Sequence, residues 1–289
     1  MAAVESNPKI SLHARSNSFP TAPHPHVSRF QEHLNRLKSS ESAATSSSLT
    51  HKLSGLQDLQ DFSDKLLQLS TTRQVLAQDC GQKWVDELLD GSLRLLDICS
   101  TAKDCLVMSK ESVYEVQSAT RRRGAEAAFT VGAGNYLASR KNVKRAIRNA
   151  LGNIKGIRNG LTVSSEAKEN DILSMLKQAE AVTVGTLESL LSFISDPKGQ
   201  SKQSRWSAIS KLMKPKRVAC DSQEIVTNEF EKVDSALKSL ISQKQASTHN
   251  FQGNLENLEM CIQDLEIGVE CLSRKLIRNR VSILNILNN

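Results

Sequence analysis

Proline is confined to the first 25 residues of this 289-residue chain and to two isolated positions beyond, and that distribution constrains the fold most. Pro8, Pro20, Pro23 and Pro25 lie in the opening stretch, and the others are Pro197 and Pro215. Residues 26–196 and 216–289 therefore contain none of the residue that breaks helix interiors at a cost of about 3 kcal/mol. Long uninterrupted helices are permitted across both spans. No comparable period-2 stretch argues for a sheet.

Apolar spacing turns that permission into a prediction. Positions 255, 258, 262, 265, 269, 272, 276, 279, 283 and 286 alternate steps of three and four, and all but Asn279 are Leu, Ile or Val. Such a heptad seam predicts one helix about 48 Å long at 1.5 Å per residue. Asn279 admits two readings, a partly exposed seam end or a polar contact that fixes register. Shorter stripes follow the same rule. Val226, Phe230, Val233, Leu237 and Leu240 form one; Ile172, Leu176, Ala179, Leu187, Leu190 and Ile194 form another, stopped by Asp196-Pro197. Trp84 to Val116 predicts a helix reaching toward Arg121, Val143 to Leu161 a further one, and Leu53 to Leu69 a less regular one. Helices with one apolar stripe each must bury those stripes on one another. The expectation is an all-α, elongated bundle of long antiparallel helices over residues 49–289, preceded by a disordered N-terminal tail, 1–48. Gly152, Gly156 and Gly160, four apart, suggest close helix packing or a weak helix end.

The tail holds eleven serines in its first 48 residues and almost no apolar periodicity, the profile of a chain that buries too little to order itself. A short amphipathic helix over Val27–Lys38 is its one predicted element. Arg15-Ser16-Asn17-Ser18-Phe19-Pro20 reads R-S-x-S-x-P, the pattern that 14-3-3 proteins recognise once the second serine is phosphorylated. A phosphate on Ser18 would add about −1.5 to −2 charges and three acceptors for an arginine cluster. Arg15 suits kinases that read basic substrates, and Pro20 turns the chain away.

Reactive chemistry finds little support. Six cysteines (80, 99, 105, 220, 261 and 271) include no C-x-x-C pair, which disfavours a disulfide scaffold or zinc site and fits reduced, structural thiols. Five histidines (13, 24, 26, 33 and 51) lie in or beside the tail, leaving only His249 for the helical body. Gly132-Ala-Gly134 follows no predicted strand and lacks a third glycine, so it is no dinucleotide loop. No run of about 18 apolar residues predicts a transmembrane span, and the first twenty residues lack the apolar core of a secretory signal. The expectation is an intracellular, cytoplasmic, non-enzymatic chain without cofactor or metal, with plastid targeting by the tail left open.

Charge is more informative than its net value of +7. Residues 127–165 hold seven basic side chains and no acid, and so do residues 197–220; without both, 24 basic residues face 31 acidic ones. Concentrated positive charge attracts phosphate-rich or acidic partners. The first stretch contains the candidates Arg140, Lys144 and Arg148, and the absence of aromatics from 140 to 158 disfavours nucleic acid. In the second, a basic linker, Trp206, Ile209 and Met213 share one helical face, with Arg205, Lys211, Lys214, Lys216 and Arg217 around it. That face could lie on an anionic membrane or enter a calmodulin groove, although Pro215 ends its helix early. Two solvated faces remain the plain alternative.

Residues 11–20 (SLHARSNSFP), 83–97 (KWVDELLDGSLRLLD), 102–104 and 268–288 (GVECLSRKLIRNRVSILNILN) resemble, in order, the plant family called domain of unknown function 241, also described as BYPASS-related. The resemblance implies a non-enzymatic role in root and shoot development and carries over no catalytic residue. Two function classes follow: a helical interaction or regulatory protein with protein partners, and a peripheral protein that binds anionic membrane surfaces through its basic segments.

Overall fold

The computed structural model describes residues 24–40, 45–78, 83–122, 126–160, 172–195, 228–242 and 248–288. Within them the chain forms helices and no strand. In order these are α1 (Pro25–Ser39), α2 (Ser46–Leu67), α3 (Ser70–Gln78), α4 (Lys83–Arg121), α5 (Glu126–Gly160), α6 (Ile172–Ser195), α7 (Glu229–Ser242) and α8 (Thr248–Leu287). At 39 and 40 residues, α4 and α8 each run about 60 Å.

Local signals set the helix starts. Pro25 occupies the first turn of α1, where its fixed φ suits the helix and its missing N–H is no loss. Thr45 caps α2 reciprocally: Thr45 Oγ1 accepts from the Ser48 amide and Ser48 Oγ from the Thr45 amide, both at 3.2 Å. So α2 begins at Ser46, ahead of the boundary expected at 49. The helix expected at Val27–Lys38 is α1, and its Phe30 and Leu34 are fully buried in the main core.

Polar ladders give the helix directions. Against α8, Gln117 donates to Glu259 at 2.7 Å, Lys110 pairs with Glu266 at 2.9 Å and Lys103 with Glu270 at 3.7 Å. Numbers fall on α8 as they rise on α4, so the two longest helices are antiparallel. Against α2 they rise together: Gln57 donates to the Gly268 carbonyl at 3.2 Å, Lys275 and Arg278 bind Asp61, and Ser282 donates to Asp64 at 3.0 Å. Thus α8 lies between an antiparallel and a parallel neighbour. Gly268 permits the second contact, since a Cβ there would come 2.9 Å from Leu53 Cδ1 and 3.4 Å from Leu53 Cβ.

All ten predicted seam positions of α8 are buried. Asn279 is among them, which decides between its two readings. Its Nδ2 donates to Gln60 O at 3.0 Å and Gln60 Oε1 at 2.8 Å, so it is a buried cross-helix contact and not a solvated end. One cluster of apolar side chains draws on α1, α2 and α4–α8, and a smaller one joins Leu67, Leu76, Leu88, Leu176, Ile283 and Ile286. The Trp84, Ile157 and Leu161 side chains fall outside the described residues. At Gly152 the space is open and the residue exposed, so close packing does not explain that glycine.

The histidine assignment needs correction. His33 is buried between α1 and α2: Nε2 donates to the Gly55 carbonyl at 2.8 Å, and Nδ1 accepts from Arg36 at 2.7 Å. It is a structural hydrogen-bonding residue of the body. His51 also belongs to a core helix, although its side chain is exposed.

Candidate functional site

Helix α5 carries the first basic stretch, and its packing sorts the cations into two groups one residue out of phase. The inner face buries Ala133, Tyr136, Val143, Ile147 and Ile154. Arg140 shares that face and is 4% exposed, so it does not belong to the basic surface expected of it. Its Nε donates to Asp234 Oδ1 of α7 at 3.2 Å, and its guanidinium lies 4.6 Å from the Phe230 ring centre. Tyr136 donates its hydroxyl to the same Asp234 oxygen at 2.9 Å, and Lys144 reaches Oδ2 at 3.4 Å from the rim. Burial, and secondarily the Asp234 charge, hold the Tyr136 hydroxyl protonated well above its ordinary range. A buried carboxylate with three donors is a locating device. It fixes the rotation of α5 against α7.

That rotation presents the other cations to solvent. Lys141, Arg145, Arg148 and Lys155 are exposed and recur at steps of four, three and seven, with Gly152 completing the stripe. The array covers about 21 Å of helix at 1.5 Å per residue. Among the described residues Lys141, Arg148 and Lys155 make no ion pair, and Arg145 donates to Asn142 Oδ1 at 3.1 Å. An anion meeting this face encounters four separate cations and no neighbouring acid on the helix.

Arg148 is the expected surface candidate that lies on this stripe; Lys144 stands at its edge, half-buried, and Arg140 beneath it. Lys141, Arg145 and Lys155 complete it. Heptad spacing from Arg148 in both directions would have identified Lys141 and Lys155, and a step of three back Arg145. Asp234 carried its own signal: it stands four residues after Phe230 and three before Leu237, inside the apolar stripe of α7. Arg205, Trp206, Lys211, Lys214, Lys216 and Arg217 lie outside the described residues, as do Arg15, Ser16, Ser18 and Pro20 of the phosphorylation motif.

Other concave features are chemically quiet. A groove of about 540 Å³ between α2, α7 and α8 is lined by Ser46, His51, Glu229, Cys261 and Asp264 among others, and Ser46 donates to Glu229 at 3.0 Å. Burial pushes the Cys261 and Cys99 thiols up to about 12 and Cys105 to about 11, so these sulfurs stay protonated and poorly nucleophilic. Among the described residues Cys99, Cys105, Cys261 and Cys271 are free thiols; Cys80 and Cys220 lie outside them. Among the described residues no three His, Cys, Asp or Glu side chains converge as metal ligands. No described helix is long and apolar enough to cross a membrane.

A family model described as Protein BPS1 matches residues 52–286 of the chain. No curated protein and no solved structure matches it.

Proposed function

The chain belongs to the Protein BPS1 family, the BYPASS-related family that its sequence resembles, and from that membership we propose a non-enzymatic helical interaction protein with a role in plant root and shoot development. The observation that carries this reading is the outward stripe of Lys141, Arg145, Arg148 and Lys155 on α5. Four cations along one helix face recognise a polyanion by charge spacing, without a pocket and without chemistry. An acidic protein segment fits best. Along the stripe, from 141 to 155, the exposed positions of α5 are Lys, Arg, Asn and Gly, and the exposed Val131 lies ten residues before it, so the cationic face offers no apolar side chain to insert among lipid chains. Adsorption on an anionic membrane remains the second reading, supported by the same cations at about 1 kcal/mol each near a charged surface.

The test compares the full chain with a variant carrying Gln at 141, 145, 148 and 155. Each is titrated with a fluorescent polyglutamate peptide and with vesicles of phosphatidylcholine and phosphatidylserine, at low and high salt. Tight, salt-sensitive binding of the peptide, lost in the variant, supports the acidic-partner reading. Preference for the vesicles, equally lost, replaces it by the membrane reading. Parent and variant that bind alike remove α5 as the contact face.

A further inference from the structure

Apart from the Lys103–Glu270 pair with α4, the outer face of α8 has no partner among the described helices, yet it is patterned. Met260, Ile267, Ile277 and Val281 are 65%, 55%, 50% and 48% exposed. They recur at heptad spacing opposite the buried seam, with Gln263, Glu270, Arg274 and half-buried Leu284 at the intervening positions of the stripe. Steps of three and four therefore run along this face from 260 to 284, about 36 Å at 1.5 Å per residue. One seam of the helix is used by the bundle. The second faces solvent.

This second seam is self-complementary. Reversing the helix about Leu272 maps the stripe onto itself: position 260 meets 284, 263 meets 281, 267 meets 277, and 270 meets 274. The residues match in kind at three of these four pairs, and Gln263 against Val281 is mixed. Met260 meets Leu284 and Ile267 meets Ile277, both apolar pairs, while Glu270 meets Arg274. On one flank Asp264, in the acidic N-terminal half, comes opposite Arg278 in the basic C-terminal half. A parallel arrangement would instead set Glu270 on Glu270 and Arg274 on Arg274, like charge on like charge.

We propose that two copies of this chain associate through the outer faces of α8, antiparallel and two-fold symmetric about Leu272. Such an isologous contact places the same patch on both subunits and closes as a dimer. The apolar layers supply burial, and the charge reversal sets orientation and register. Glu270 already pairs with Arg274 along the helix and with Lys103 of α4, and both Glu270 and Arg274 retain exposure, so the association gathers solvated pairs into a four-charge cluster at the two-fold axis. Cys271 stands beside that axis, half-buried and free. With two mixed layers, Gln263 against Val281, the interface is small and the dimer correspondingly weak.

Sedimentation equilibrium of the full chain, at concentrations up to about 100 μM where a small interface is populated, tests this directly. The parent should show a monomer–dimer equilibrium. Glu270→Arg and Arg274→Glu should each weaken it at least tenfold, because each sets like charges at the axis. Circular dichroism should show both variants as helical as the parent, since neither side chain lies in the core and the Lys103–Glu270 pair is a solvent-exposed one. An equimolar mixture of the two variants should restore a dimer containing one of each, since one chain then presents two arginines and the other two glutamates. A parent that is monomeric throughout overturns the proposal. So do single variants that dimerise like the parent, or a mixture that remains monomeric.

Discussion

The Glu180 carboxylate on α6 occupies the space that a side chain at position 91 of α4 would need. A Cβ built on Gly91 would fall 2.5 Å from Glu180 Cδ and closer still to one of its oxygens. Glycine at 91 therefore makes room for a buried acid, which Arg94 approaches at 3.5 Å from the same helix. Gly91→Ala should destabilise the protein by about 1–3 kcal/mol, the usual cost of overpacking, despite alanine's better helix propensity. Gly152→Ala, where nothing lies within 4 Å, should stabilise it by up to about 1 kcal/mol. Chemical denaturation of the two variants checks the opposite signs.

Burial raises the Glu180 carboxyl above its ordinary value, with Arg94 partly offsetting the shift. An acid whose folded pKa is raised penalises folding at pH values above that pKa. The penalty is absent below the unfolded value and grows as pH rises through the interval between the two. Glu180→Gln should remove this dependence. The stability difference between Glu180→Gln and the parent should therefore shift in the parent's favour as pH falls from 7 toward 4.5. Denaturation midpoints measured across that range test the sign.

Asp234 and Lys144 share an ion pair but not its consequences. Asp234→Ala leaves Arg140 charged, 4% exposed and without its carboxylate, and should cost about 3–5 kcal/mol. Lys144→Gln removes a cation at the solvent edge of the same cluster and should cost less than about 1 kcal/mol. Urea unfolding of both variants, together with the double variant, measures the contrast.

Asn279 holds α8 to α2 through two donor contacts with Gln60, and Gln60 Nε2 in turn reaches Thr183 of α6 at 3.4 Å. Asn279→Leu would make the seam uniformly apolar. It should nevertheless destabilise by about 1–3 kcal/mol, because the Gln60 side chain is left buried without that donor. For comparison, Leu272→Ala in the same seam should cost about 2–5 kcal/mol by opening a cavity. A gain in stability for Asn279→Leu would mean that Asn279 serves orientation alone.

Helix existence was written locally in the residues. Absence of proline, 3-4 apolar spacing and a cap such as Thr45 act within a few turns, so α4, α6 and the ten-position seam of α8 could be read before any partner was known. Family membership was legible in the same way, from ordered stretches such as 83–97 and 268–288. Partner identity within the bundle was not. Arg140 and Lys141 are neighbours of like charge, about 100° apart around one helix. Which of them turned inward depended on Asp234, 94 residues further along. The burial of His33 depended on a carbonyl at Gly55, and that of Asn279 on Gln60, 219 residues away. Periodicity is a property of one helix, but the burial of a polar group depends on a second helix arriving with the complementary atom. The sequence by itself determined the helices and their stripes; the tertiary structure decided which charges became anchors and which were left facing out as the basic stripe of α5.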